Sequence, residues 1–464
     1  MSVQVGGLSV WLPGRGLAVS EVSLEVEGLT LLTGVSGCGT TTVLRAIAGR
    51  LPAGALVRGD LPGRREPGAL VEALPGTELP DRAVHELLGS RPDQELVAEL
   101  GLEDLLETPA RSLDASRRAA LGVAWVTGHP RAEVALVDQP LSRLHATHRA
   151  AVSAALRRLA DRGTHVLWAE HVLEDAVALA DRVVELVPGG AIASAAQSWM
   201  PRTLPAPPQL ALARALGLPR EEWADLARLG TRREVASASP RTAARRSPVG
   251  ELLVAAPTDR TGLPHEVRVH HLETLGVVAA AGQEPRALDV ARRLAALAGH
   301  GTRLPHPLVL PRGVPVGRIA RLWAKRHATT AEGVLALAGR LVSLDPARTT
   351  TQHSDGERAA LRWALSTLAS GPNLLVHPDA GLDAGARRRL AGLLADEPRG
   401  TSVLLSRDPE LLVRACHRLL VLGPGGQVAD GTPVVVADRL PVAPVLRRAG
   451  ARALRVRDVL GAPR

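Results

Sequence analysis

Nine residues carry the clearest chemistry in this chain: Gly34-Val35-Ser36-Gly37-Cys38-Gly39-Thr40-Thr41-Thr42. They match the phosphate-loop pattern G-x-x-x-x-G-K-[ST] at every fixed position except the lysine, where Thr40 stands. Glycines let a backbone curl until successive N–H groups converge on an anion. Thr41 falls where a hydroxyl would ligate Mg²⁺, and the absent lysine would have met the β/γ-phosphates. The cradle is kept and its charge is lost, which points to a nucleotide-binding fold with impaired hydrolysis. A Gly/Thr-rich surface turn is the plainer reading of the same residues.

The elements needed to aim such a loop are present around it. Leu29–Thr33 is a short apolar and β-branched run, the composition of a buried strand. After the loop, Leu44, Ile47, Ala48 and Leu51 recur at i, i+3, i+4, i+7, one face of a helix. Strand, glycine loop and helix together direct a helix N-terminus at phosphate.

Composition sets the frame. The chain has 464 residues, long enough for two or three domains, with 45% apolar and 22% charged residues. No run of 18 uncharged apolar residues occurs, and the start shows no secretory pattern. Two distant cysteines, Cys38 and Cys416, suggest reduced thiols in a cytoplasmic protein. Lys325 is the only lysine and Asn373 the only asparagine, so arginine supplies 55 of the 56 basic residues. A GC-rich genome would favour this usage, although not the absence of Phe. The net charge of +9 raises nucleic acid or acidic lipid as partners. Scattered arginines and 2% aromatic content argue against base stacking, so nucleic acid is not expected.

The chain also repeats itself. Arg118-Ala119-Ala120-Leu121 returns 240 residues later as Arg358-Ala359-Ala360-Leu361. Asp181–Gly190 returns 236 residues later as His417–Gly426. Strand-like runs at 134–137 and 166–169 have partners at 374–376 and 403–405, each set among helical patterns. We therefore expect α/β domains at 1–197 and 251–440, a Pro/Arg-rich linker at 198–250 and a tail at 441–464. Within the linker, Gln209–Leu218 has a helical pattern ending before Pro219, and Ser237–Ser247 reads as a solvated spacer.

The order of motifs resembles the ATP-binding subunits of ABC transporters over nearly the whole chain. The expected fold is α/β: two tandem P-loop NTPase domains of ABC type, with layered sheets and helical signature subdomains. In the first half, Leu113–Arg117 stands at the signature, Asp138 at the metal-facing Walker B aspartate and Gln139 at the general-base glutamate. His145 stands at the D-loop aspartate and His171 at the switch histidine; the Q-loop glutamine is missing, with Ala73 nearest to its place. In the second half, Ala281–Arg286 lacks the P-loop glycines and lysine, Val376 and His377 replace the Walker B acids, and Arg407 replaces the histidine. Yet Ser354-Asp355-Gly356-Glu357-Arg358 is closer to a signature, and the D-loop Gly381-Leu382-Asp383 is intact. Ser354 with Glu357 three residues on also has the spacing of a capping box.

What the resemblance implies is specific. ATP would lie on Gly34, Ser36, Gly37, Cys38, Gly39, Thr40, Thr41 and Thr42, with Mg²⁺ on Thr41 and Asp138 and with Gln139 and His171 at the reacting end. Ser354, Gly356 and Asp383 would cap it in an intramolecular pseudo-dimer, giving one nucleotide pocket rather than two. The protein would be cytoplasmic, docked on a separate transmembrane subunit at the inner face of the membrane. The segment Leu204–Leu210 followed by Leu216–Pro219 is similar to energy-coupling-factor importers. A lysine charge near a phosphate is worth up to ~4 kcal/mol at an effective dielectric near 20. Arg50, or an arginine from the other half of the chain, is a candidate to restore part of it. Gln139 can orient water but not accept its proton, a loss of ~10²–10⁴ in rate. Two alternatives stand beside the transporter subunit: a non-enzymatic scaffold or regulator, and a soluble ABC protein acting on ribosomes or nucleic acid.

Overall fold

The computed structural model describes residues 3–62, 70–73, 82–88, 93–129, 132–238, 250–280, 282–298, 308–368, 372–423 and 428–460. Two compact units divide at residue 206/207.

The first unit joins two sheets through one helix. Strands β1 (Val3–Leu12), β2 (Gly16–Val26) and β4 (Leu56–Asp60) form an antiparallel sheet in the order β2-β1-β4. Strands β3 (Leu29–Gly34), β5 (Leu70–Ala73), β6 (Val134–Asp138), β7 (His165–Ala169), β8 (Arg182–Val187) and β9 (Gly190–Ala195) form the second sheet. Its order is β5-β6-β7-β3-β8-β9, parallel except for the last pair. β3 is central and buried along its whole length, which is why Leu29–Thr33 reads as a continuous apolar run rather than an alternation. The helix Thr40–Ile47 lies in a core built from both sheets: its Val43, Leu44 and Ile47 share a cluster with Leu8 and Val10 of β1 and with Leu32, Leu136 and Leu167. Fully burying Leu44 contributes about 2 kcal/mol. That packing fixes the phosphate loop, which is the link between β3 and this helix.

The second unit repeats the plan. Strands β12 (Thr274–Ala279), β13 (Asn373–Val376), β14 (Ser402–Leu405), β15 (Arg418–Leu422) and β16 (Val428–Gly431) run in the order β13-β14-β12-β15-β16. This is the first unit's order from β6 to β9, again antiparallel only at the final pair. The antiparallel sheet is reduced to β10 (Leu252–Ala256) and β11 (Val267–His270). A helical subdomain, in which Val316–Arg326 and Ala331–Gly339 pack with Leu361 and Leu365 of the helix Asp355–Thr367, precedes β13.

The proline-rich connection is not only a spacer. The helix Pro208–Leu216 starts with proline in its first turn and stops at Gly217, whose φ is +67°. Its Leu212 packs in one apolar cluster with Leu229, Val235, Leu446, Ala449 and Ala453. The expected linker and the expected tail therefore share a small core of their own. Of the solvated stretch Ser237–Ser247, residues 239–247 lie outside the described residues. So do Ala281 and residues 424–426, the end of the second repeat segment. No helix among the described residues is long and apolar enough to cross a membrane.

Candidate functional site

The loop after β3 has the conformation its glycines permit. Gly37 and Gly39 sit at φ +88° and +103°, a region that favours glycine. A Cβ at Gly39 would come within 2.7 Å of the Ala18 carbonyl oxygen and of Val19 Cγ2. At Gly34 a Cβ would meet Cys38 Sγ at 2.6 Å and the Leu186 carbonyl oxygen at 2.9 Å. Both glycines are thus required by close approach. Gly39 is also the N-cap of the helix Thr40–Ile47 and supplies no side-chain cap, and the first turn holds no acid. Its leading N–H groups are left for an external acceptor, the usual basis of phosphate binding at a helix start. Thr40 is buried and uncharged where the lysine would stand, while Thr41 is half-buried.

Sheet register brings the other residues to the same edge. Asp138 on β6 pairs in register with Ala169 on β7, and Ala169 with Leu32 on β3. The carboxyl ends of these strands therefore present Asp138, the Glu170–His171 turn and the loop side by side, the place where open α/β sheets bind ligands. Asp138 is 4% exposed; among the described residues neither of its oxygens has a donor in good hydrogen-bonding geometry, and the Thr41 hydroxyl lies close enough to stabilise its charge. Burial pushes its carboxyl up from 3.8 to about 6; the nearby Thr41 hydroxyl, Arg143 and Arg45 pull it partly back, and Glu170 opposes them. A buried carboxylate beside a threonine hydroxyl offers two oxygens that could hold a divalent cation.

Gln139 holds a left-handed conformation, φ +51°, and donates its N–H to the Ala169 carbonyl oxygen at 2.8 Å. His377 in the second unit does the same at φ +45°, donating to Leu405 O at 2.8 Å. The two are structurally equivalent, as the motif order implies. His171 is buried one residue beyond Glu170. Glu170 was not among the residues singled out from sequence. Its Oε2 accepts from the Leu141 N–H at 2.9 Å, and its Oε1 from the N–H groups of His171 at 2.7 Å and Val172 at 3.1 Å. It thereby ties the turn after β6 to the turn after β7, and burial raises its pKa. An acid wedged between an apolar strand and His171 was the signal available for it.

The signature and D-loop positions are helix caps in both units. Asp114 caps the helix Ala115–Thr127, and Ser354 caps Asp355–Thr367 in a full capping box with Glu357. His145 caps Ala146–Asp161, and Asp383 caps Ala384–Asp396 through a 2.8 Å bond from the Ala386 N–H. Within the second unit these motifs adjoin: a Cβ at Gly381 would be 2.6 Å from Asp355 Cβ and 3.2 Å from the Gly356 nitrogen. In the first, the His145 N–H donates to Ser116 Oγ at 3.3 Å.

The second unit's counterpart of the phosphate loop is filled from within. Arg407, at the switch position, forms a two-pronged pair with Glu284 at the first residue of the helix Glu284–Ala298, both contacts at 2.6 Å. A carboxylate sits at the helix N-terminus where a phosphate would, with an arginine across it. Val376 offers no metal ligand. Arg50, the expected source of replacement charge in the first unit, instead pairs with Glu72 at 2.9 Å. It follows the last turn of the helix, away from the loop at its start, so it does not serve.

No family-wide sequence profile matches the chain. It is 30% identical to a protein of Streptomyces coelicolor provisionally named as an ABC transporter ATP-binding protein, across 90% of this chain and 92% of that one. A similarly named Streptomyces avermitilis protein is also 30% identical, across 88% and 90%. Among solved structures, the archaeal ribosome recycling factor aABCE1, in complex with the stalk protein aP1, shares the fold with a TM-score of 0.59. That likeness covers 91% of this chain and 89% of the other at 19% identity. With two units of one strand order and the loop at the carboxyl edge of the first sheet, the chain belongs to the ATP-binding proteins of the ABC transporter family, with tandem P-loop ATPase domains.

Proposed function

We propose that the first unit binds a Mg²⁺–nucleotide weakly and hydrolyses it very slowly or not at all, and that the protein couples this binding to a separate membrane transport subunit. The observation that carries the reading is Asp138, a carboxylate whose charge burial disfavours, set beside the Thr41 hydroxyl at the foot of a glycine-shaped loop. Such a group destabilises a fold and persists where a ligand uses it. When bound, Mg²⁺ would neutralise phosphate charge, with Thr41 and Asp138 as its protein ligands. Gln139 would orient water without accepting its proton, and His171 would sense the phosphate end.

The transport role rests on the names of the Streptomyces relatives. An energy-coupling-factor type of import remains the narrower form of it. The scaffold reading differs in one measurable respect, since it requires no nucleotide affinity. For the ribosome-related reading the support is the fold shared with the recycling factor. The test is titration of the full chain with a fluorescent ATP analogue and Mg²⁺, wild type against Thr40→Lys. We expect the lysine to tighten binding by at least tenfold, with phosphate release near background in wild type. Equal affinity in the two proteins would overturn the phosphate-loop assignment.

A further inference from the structure

We propose that Arg15 supplies part of the positive charge that Thr40 does not, reaching the bound phosphates from the turn between β1 and β2. This rests on the nucleotide reading above. The turn is tight: the Arg15 N–H donates to the Leu12 carbonyl oxygen at 3.1 Å, and Gly14 and Gly16 flank it at φ +68° and +75°. From there the Arg15 guanidinium crosses to the phosphate loop, where Nη2 donates to the Gly37 carbonyl oxygen at 3.2 Å. The same hairpin meets the loop a second time, because Ala18 and Val19 of β2 are what exclude a side chain at Gly39. Two contacts, one polar and one steric, thus hold the hairpin against the cradle.

The chemistry suits the position. A guanidinium has five donors in a planar fork, so contacts to the protein and to phosphate oxygens can coexist. Arg15 is half-buried, which screens its charge less than full exposure would. The other nearby arginines are placed differently. Arg45 and Arg143 act on Asp138, at the metal side, and Arg50 is paired with Glu72. A cation anchored to the loop backbone also explains how threonine can occupy position 40 without leaving the phosphates unopposed.

The experiment uses the full chain, Mg²⁺ and mant-ATP, with five proteins beside wild type: Arg15→Ala, Arg15→Gln, Arg58→Ala, Thr40→Lys and Arg15→Ala/Thr40→Lys. Arg58, exposed on β4, controls for removal of general charge. Losing a charge-assisted bond to an anion should weaken binding roughly ten- to a hundredfold in Arg15→Ala. Arg15→Gln, which removes the charge and keeps a polar side chain, should lose affinity with its melting temperature unchanged. Arg58→Ala should match wild type, and the added lysine should restore the double variant. Wild-type affinity in Arg15→Ala or Arg15→Gln would overturn the proposal. So would binding by Thr40→Lys alone, which would leave the cradle valid and Arg15 idle. Failure of both wild type and Thr40→Lys to bind would remove this inference together with the nucleotide reading.

Discussion

Replacing Asp138 by Asn isolates the electrostatic cost of keeping the site. The carboxyl titrates at 3.8 when unfolded and at about 6 when folded, chiefly because burial disfavours its charge. Below 3.8 it is protonated in both states and the titration costs nothing. Between the two values the folded protein holds a proton that the unfolded chain has released. Above about 6 the folded state carries a buried charge, and stability has been lost as pH rose through that value. The full difference is about 3 kcal/mol at pH well above both values. Asparagine has no such titration. Its amide brings its own unmet donors, a roughly constant cost that cancels when two pH values are compared.

Wild type and Asp138→Asn should therefore diverge with pH. Between pH 5 and pH 8 the variant should gain about 1.5 kcal/mol relative to wild type. Urea titrations in EDTA, followed by hydrogen exchange on peptides covering β6 and β7, keep the measurement on the first unit. Adding Mg²⁺ and nucleotide should raise wild-type stability and leave the variant unmoved. A stability gap that is flat with pH would show that the carboxylate is neither desolvated nor unpaired, and the reasoning from its burial would fail.

Two further outcomes follow from the second unit. Removing one partner of the Arg407–Glu284 pair, by Arg407→Ala or Glu284→Ala, should cost about 1–2 kcal/mol, because each is only partly exposed and the contact is two-pronged. A double-mutant cycle by urea denaturation should return a coupling above ~1 kcal/mol, and additive effects would refute the ion pair as a filler of the loop position. Ser354→Ala should lose about 1 kcal/mol through the capping box and Ser354→Asp should recover most of it, as read by thermal melts. An unaffected Ala variant would leave Ser354 without its capping role.

What could be read from the sequence was local. The loop at 34–42, the buried strand before it and the apolar face of the following helix are each set by neighbours within about two turns or one strand. The repeat exposed the second sheet because strands of one plan leave runs of one kind at fixed spacing. The remainder is non-local. Glu284 and Arg407 lie 123 residues apart, and nothing near either announces the other. Arg50 looked available because helix length decides which end it occupies, and the helix ends at Ile47. The proline-rich segment read as a linker with one short helix, since the cluster of Leu212, Leu229 and Val235 is completed by Leu446 and its neighbours, more than 200 residues on.

Comparing the two units separates scaffold from site. A left-handed non-glycine residue after the Walker B strand is ordinarily a mark of function. Here both Gln139 and His377 have it, and both give their N–H to the next strand. The second unit keeps that corner with Val376 in place of the acid and with its loop position closed by Glu284 and Arg407. The corner therefore belongs to the architecture, as do the caps at Asp114, His145, Ser354 and Asp383. What the first unit alone retains is costly by comparison: a left-handed glycine pressed against β2, and a buried strand-end carboxylate at Asp138 whose oxygens, among the described residues, have no donor in good hydrogen-bonding geometry. At the equivalent strand end the second unit has Val376 and so no charge to bury there. A fold able to discard that burden in one copy has no structural need of it in the other, so the burden at Asp138 is best accounted for by a ligand that relieves it.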